Sequence, residues 1–268
     1  MKKLFLLVAA ACFAFSASAQ EALGSRAQVV SPQINENNSV TLRLAAPEAK
    51  KVTVAGNFLT PDGTPVENTE MVRNADGVWE YTSPVLRSEL YNYNFVVDGL
   101  SVKDPNNAYI QRDISNLMNY FIIGGGKAEN YMVQDVPHGT VSKVWYPSPN
   151  AETKMRRMSV YTPAGYEEGK QKYPVLYLLH GMNDNNKGWY ERGHLKDVMD
   201  QLTASGEVEE MIIVTPDAGG EVQKDTWQGY FDMPGWAYEK FFYEEFMPMI
   251  EKEYRVKADK AHRGIAGL

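Results

Sequence analysis

The chain has 268 residues, 44% of them hydrophobic and 23% charged, an ordinary globular composition for one or two domains. A formal charge of −7 leaves no electrostatic footprint for nucleic acid or an anionic lipid surface. A single cysteine excludes an intrachain disulfide and a cysteine-based metal centre.

Met1-Lys2-Lys3, the apolar run Leu4 to Phe15 and the small-residue site Ala17-Ser18-Ala19 make an export signal, residues 1–19, predicted to be cleaved after Ala19. The run is too short to span a bilayer, and no later apolar stretch is long enough, so no membrane association is expected after processing. Ala9-Ala10-Ala11, which precede Cys12, match a lipidation box poorly. Cleavage removes Lys2, Lys3 and Cys12 and takes the formal charge from −7 to −9. The mature protein is expected to be secreted or periplasmic.

Residues 20–125 read as β. Val40-Thr41-Leu42-Arg43-Leu44, Val52-Thr53-Val54 and Trp79-Glu80-Tyr81 alternate with the period of half-buried strands. Tyr91, Tyr93, Phe95 and Val97 share one face of a longer strand, and Asp98-Gly99 predicts a tight hairpin turn into Leu100-Ser101-Val102. Asn119 to Ile123 is the last strand. Turn clusters between them, Pro61-Asp62-Gly63, Asp76-Gly77 and Asp104-Pro105-Asn106-Asn107, predict an antiparallel sandwich. Gly124-Gly125-Gly126 breaks the pattern, and residues 126–134 are expected to be a flexible linker.

The texture then changes. Val175–Leu179 and Met211–Val214 are continuous apolar runs, as strands buried on both faces require. Leu195, Val198, Met199 and Leu202 share one helix face, and Gly206 ends that helix. Phe242, Phe246, Met249 and Ile250 predict a second helix, bent at Pro248. Gly264-Ile265-Ala266 begins a third buried strand. Alternating strands and helices over residues 135–268 predict an α/β domain with a parallel sheet.

Three features carry chemistry, and their order matters more than any one of them. His180-Gly181 follows a buried strand, and such a turn can aim a backbone N–H at an oxyanion; by itself it is equally an ordinary βα turn. Thr215-Pro216-Asp217 opens a long loop holding Trp227, Tyr230, Phe231 and Trp236, at a strand end where open α/β sheets bind ligands; the aromatics also suit a core. Gly264-Ile265-Ala266-Gly267-Leu268 has the form of the first half of a Gly-x-Ser-x-Gly nucleophile elbow. No phosphate-binding glycine loop and no His-x-x-x-His pair occurs.

Through KYPVLYLLHGMNDNNKGW, EEMIIVTPDAGG and EKEYRVKADKAHRGIAGL, residues 135–268 resemble carbohydrate esterase family 1, the feruloyl and acetyl-xylan esterases, also called esterase D-like. Enterochelin-type esterases are near relatives of that family. Through KVTVAGNF, DGVWEY and LYNYNFVVDGLSVKDPNN, residues 20–125 resemble the immunoglobulin-like early-set domain related to carbohydrate-binding module family 48. The resemblance implies a multidomain chain, an immunoglobulin-like β-sandwich followed by the N-terminal half of an α/β-hydrolase fold.

In the family the last motif continues into Ser-Met-Gly-Gly, and the acid and the histidine follow the serine. The whole triad is therefore expected beyond Leu268, and His138, His180, His194 and His262 all precede it. No catalytic residue is expected in these 268 residues, only an oxyanion turn at Gly181 and Met182. Asp184 and Trp189 are expected at the cleft rim and Trp227 and Tyr230 at the substrate; Trp79 and Tyr81 are candidates for weak glycan contact, with the sandwich core the favoured alternative for both.

The function this implies is a secreted serine ester hydrolase that removes feruloyl or acetyl groups from xylan. Its partner would be plant cell-wall polysaccharide or its acylated oligosaccharides; no cofactor is implied, and these residues alone are expected to be inactive. Two alternatives stay open, a glycan-binding protein with a remnant hydrolase domain and a siderophore esterase.

Overall fold

The computed structural model describes residues 29–58, 66–113, 116–149, 154–181, 184–217 and 241–268; the export signal, Met182, Trp227 and Tyr230 lie outside them. Strands β1 (Gln33–Ile34), β2 (Val40–Ala45), β5 (Val72–Arg73) and β6 (Val78–Thr82) form an antiparallel sheet in the order β1-β2-β6-β5. A second sheet runs β4-β3-β7-β10-β9, from β3 (Val52–Gly56), β4 (Val66–Glu70), β7 (Glu89–Val97), β9 (Ile110–Asp113) and β10 (Asn116–Ile123). Strand β8 (Leu100–Val102) pairs with β7.

Alternation decides which side chains fill this sandwich. Val40, Leu42 and Leu44 of β2 meet Val52, Val54, Tyr93, Phe95, Phe121 and Ile123 of the facing sheet in one core. Phe58 lies edge-on to Phe121, with ring centroids 5.5 Å apart. The turn after β7 needs positive φ at both central residues, and Asp98 (φ 48°) and Gly99 (φ 91°) adopt it. One carboxylate is buried here: Asp104 accepts from Ser31 Oγ (2.5 Å), Tyr93 OH (2.7 Å) and Asn106 N (2.9 Å). Burial, with the Asp104 charge beside it, pushes the Tyr93 phenol above its ordinary range.

Trp79, a candidate glycan contact, takes the favoured alternative place in this core. It is 8% exposed and its Nε1 donates to the Ala46 carbonyl at 2.9 Å. The same alternation that marks β6 as a strand turns Trp79 inward, against Leu44, its cross-strand partner. Tyr81 is half-buried against the same core, its ring 6.4 Å from that of Phe58.

The second half holds a five-stranded sheet in the order β11-β12-β14-β13-β15. These are β11 (Thr140–Pro147), β12 (Met155–Thr162), β13 (Val175–Leu179), β14 (Ile212–Pro216) and β15 (Arg263–Gly267). Strands β13, β14 and β15 are parallel, whereas β11 and β12 run antiparallel as a leading hairpin that the sequence reading did not mark.

Helices α1 (Gly188–Glu191) and α2 (Leu195–Ala204) lie between β13 and β14, and α3 (Met247–Glu253) lies between β14 and β15. The apolar runs serve two cores, one on each face. Val175, Tyr177, Ile212 and Val214 pack with Phe246 and Ile250, while Leu178 and Ile213 pack with Met199 of α2.

Two expectations are corrected. Residues 126–134 do not form a free linker: Gly126–Tyr131 is a 3-10 turn, and Gln201 of α2 donates to the Glu129 and Met132 carbonyls at 3.0 and 2.8 Å. Satisfying those carbonyls ties the connection to the second half, and the ring of His194 packs against Tyr120 and Tyr131 beside it. The expected second helix is continuous from Phe241 to Glu253, and its π-type turn at Phe242–Phe246 lies just before Pro248, whose missing N–H interrupts the regular ladder. Lastly, β15 is not buried. Ile265 is 60% exposed, since β15 pairs with β13 alone among the described residues.

Candidate active site

Strand order places a crevice. From β13 the chain passes to β14 on one side and to β15 on the other, so β13 is where the order reverses. Ligands of open α/β sheets bind beyond the carboxyl ends of the strands at such a point. His180 and Gly181 leave β13 there, Asp217 leaves β14, and Gly267-Leu268 ends β15.

The approach at this end is close enough to select glycine. A Cβ on Gly267 would lie 2.9 Å from Leu179 Cβ and from the Leu179 carbonyl oxygen, and one on Gly181 would lie 3.2 Å from Leu268 Cβ. The two segments that the elbow and the oxyanion turn require are thus brought side by side.

A polar row runs across the sheet beside them. Just past the ends of β13 and β14, His180 lies beside Asp217, and the Asp217 N–H donates to the Arg157 carbonyl of β12 at 3.0 Å. Arg157 Nε donates to Asp217 Oδ2 at 2.5 Å, and His180 Nε2 lies 3.9 Å from Asp217 Oδ1. His180 Nδ1 is 2.8 Å from the Gly181 carbonyl, which also accepts from the Asp184 N–H at 3.3 Å. The imidazole and the Asp184 turn therefore both hold the Gly181 peptide in place. His180 is the one histidine of the four at the crevice: His138 contacts Asp200, His194 packs at the connection and His262 contacts Asp259.

The rim loop is fastened from below. Asn186 is buried, its Nδ2 donates to Ser159 Oγ at 2.9 Å, and its carbonyl accepts from Thr215 Oγ1 at 2.8 Å. Asp184 caps the following residue, accepting from the Asn185 N–H at 2.8 Å. Trp189 lies partly buried and donates Nε1 to the Leu179 carbonyl at 3.0 Å, so it caps the end of β13. Met182, Trp227 and Tyr230 lie outside the described residues. Sequence reasoning passed over Arg157, Asn186 and the pairing of Asp217 with His180. An aspartate directly after a buried strand was the available signal for the last of these.

Among the described residues no cluster of three or more His, Cys, Asp or Glu side chains is placed to hold a metal ion. No helix among them is long and apolar enough to cross a membrane.

A sandwich joined to an α/β sheet with a glycine-lined switch point defines the fold class, an α/β-hydrolase-like domain behind an immunoglobulin-like module. Comparison with known proteins specifies it. Residues 148–268 match the family model described as "Putative esterase", and residues 25–110 match carbohydrate-binding module 48, the isoamylase N-terminal domain. Residues 148–268 are thus an esterase-family segment, and residues 25–110 a carbohydrate-binding-module-48 domain.

The chain is 29% identical over 252 residues to an endo-1,4-beta-xylanase/feruloyl esterase of Xylanibacter ruminicola, covering 88% of this chain and 32% of that protein. It therefore spans about a third of the length of that curated relative. A solved ferulic acid esterase shares 55% identity, with 48% of this chain and 50% of that chain covered and a TM-score of 0.43. The enterobactin esterase of Shigella flexneri matches the fold at a TM-score of 0.61 with 17% identity, covering 85% of this chain and 64% of that one.

Proposed function

We propose that the protein containing these residues is an exported serine esterase that releases feruloyl groups from plant cell-wall xylan. The observation that carries this is the junction of His180-Gly181 with Gly267-Leu268 at the carboxyl end of adjacent parallel strands. A serine following Gly-Leu would stand beside the turn that stabilises the oxyanion of its own tetrahedral intermediate. The feruloyl substrate is suggested by the name of the relative that aligns with both halves of the chain.

In this reading Gly181 and Met182 supply the oxyanion turn. His180, Asp217 and the Asp184 loop hold that turn, while Trp189 braces its strand. Trp227 and Tyr230 contact substrate. Residues 20–125 form the glycan-directed module, 126–134 the connection and 135–268 the esterase segment. Cleavage after Ala19 delivers the protein outside the cytoplasm, and an amino terminus at Gln20 in the mass of the exported form checks this.

The test is turnover by the native protein carrying these residues, offered methyl ferulate, acetylated xylan and enterobactin. Release of ferulate, abolished by a serine-directed phosphonate, is expected. Hydrolysis of enterobactin alone overturns the substrate assignment in favour of a siderophore esterase. Residues 20–268 expressed by themselves are expected to show no turnover. They hold the oxyanion side of the site, whereas the family order puts serine, acid and histidine after Leu268. Phosphonate-sensitive hydrolysis by residues 20–268 would contradict that order.

A further inference from the structure

The polar row at the crevice does not stop at Arg157. The register of the leading hairpin places Trp145 of β11 directly opposite Arg157 of β12. Cross-strand partners share a face, Arg157 donates to Asp217 and Asp217 lies beside His180, so Trp145, Arg157, Asp217 and His180 form one line at the crevice end. The members differ in what they already do. The His180 imidazole is engaged with the Gly181 carbonyl, and the Asp217 carboxylate, 3.9 Å from His180 Nε2, accepts from Arg157. The Arg157 side chain is 40% exposed with its Nε committed to Asp217, and a guanidinium carries five donors in all. Trp145 is 64% exposed, the largest side chain in the line, on the strand that ends the sheet.

An indole held in solvent by a strand is a flat apolar face that folding does not require. Its position is what gives it meaning. Three strand steps of about 4.8 Å separate β13 from β11, so Trp145 stands roughly 14 Å from the oxyanion turn. An aromatic acyl group bound at Gly181 does not span that distance. An extended ligand, whose ester is at Gly181 and whose backbone continues over β14 and β12, does. The matching chemistry is a sugar chain: the C–H face of a pyranose lies on the indole, and its hydroxyls accept from the guanidinium beside it.

Resting on the esterase reading, we propose that Trp145 and Arg157 form a subsite for the oligosaccharide backbone of the acylated substrate, an outer specificity site on the leading hairpin. Arg157 serves twice, donating to sugar and orienting the Asp217 carboxylate that faces His180.

The experiment is titration calorimetry of residues 20–268 with two probes, xylohexaose and methyl ferulate, in the parent, Trp145→Thr and Trp145→Tyr. Threonine removes the ring while suiting a strand, so the fold is retained; tyrosine keeps a flat ring. Xylohexaose affinity is expected to fall by about tenfold in Trp145→Thr and to recover partly in Trp145→Tyr, with methyl ferulate binding unchanged. Equal xylohexaose affinity in all three, or none in the parent, overturns the subsite. So does a dimer of the parent that dissociates in Trp145→Thr without a change in xylohexaose affinity. Trp145-dependent xylohexaose binding supports the subsite whether or not methyl ferulate binds, and the feruloyl reading is tested separately by turnover of the native protein.

Discussion

Among the described residues the sandwich buries one carboxylate, Asp104, and the α/β half buries Asp200 as well as Asp217 at the crevice; Asp104 and Asp200 are satisfied in different ways. Asp104 takes neutral donors, Ser31, Tyr93 and a backbone N–H, all from within the sandwich. Asp200 of α2 takes Lys196 Nζ at 2.6 Å, His138 Nδ1 at 2.9 Å, Tyr161 OH at 2.9 Å and the Gly139 N–H at 2.8 Å. These donors lie on α2 itself, on β12 and on the segment entering β11, so Asp200 fastens a helix to the far side of its sheet. The sandwich closes on itself through one apolar core, whereas the α/β half has a core on each face of its sheet, a charged knot on the face that α2 covers and an exposed strand at one edge. The first needs no partner for its shape; the second concentrates its polar groups at the end where chemistry is expected.

The sharpest way to break this comparison is to empty one core of the α/β half. Phe246 is fully buried among Tyr146, Tyr177, Phe241 and Phe242. Phe246→Ala is expected to cost about 3–5 kcal/mol, and urea unfolding should show the loss in one transition while the sandwich transition stays in place. A single transition that moves as a whole would show that the halves do not unfold separately.

Next in size is the knot. Asp200→Asn is expected to cost about 2–4 kcal/mol, because Lys196 loses its charge partner and one amide oxygen cannot satisfy four donors. Burial opposes the charged form, but the Lys196 ammonium and the Gly139, His138 and Tyr161 hydrogen bonds outweigh it and hold the Asp200 carboxyl below its ordinary value of 3.8. A depressed folded-state value means the unfolded chain takes up the proton first. The stabilisation is therefore present above about pH 4 and is lost as pH falls through the folded-state value. Acid unfolding of the α/β half followed by tryptophan fluorescence should show this dependence in the parent and less of it in Asp200→Asn.

Trp79→Phe sharpens the sandwich side. It removes the hydrogen bond to Ala46 and should cost about 1 kcal/mol in thermal unfolding. Because the indole is inside, retardation in xylan or starch gels should not change. Reduced retardation in a folded variant would return Trp79 to the glycan surface.

The smallest effect belongs to the contact between halves. Arg192 of the α/β half pairs with Asp113 of β9, both partly in solvent, and Arg192→Ala should shift either transition by less than about 1 kcal/mol. A larger shift would make the ion pair, rather than the Gln201 bonds to residues 129 and 132, the main tie.

Much of this was legible along the chain because the signals are local. Alternation at Val40–Leu44 and Tyr91–Val97, the Asp98-Gly99 turn and the continuous runs at Val175 and Met211 each reflect which faces of a strand meet water. Those patterns determined two β-rich units, the second with a parallel sheet, and they marked His180-Gly181 and Gly264–Leu268 as strand ends worth watching. The inward side of Trp79 was less legible, since alternation gives two faces without saying which one another sheet will cover. The hairpin β11–β12 was missed because Met155-Arg156-Arg157-Met158 shows no period-two alternation, although β12 pairs on both edges.

What only the tertiary structure decided is the line from Trp145 through Arg157 and Asp217 to His180. No local pattern links those residues. They become neighbours because β14 inserts between β12 and β13, so that the turns leaving β13 and β14 bring His180 and Asp217 beside Arg157, itself paired with Trp145. Strand order is set by which apolar faces bury together over long stretches of chain, so the content of the site depends on the assembled sheet and not on any one segment of the sequence.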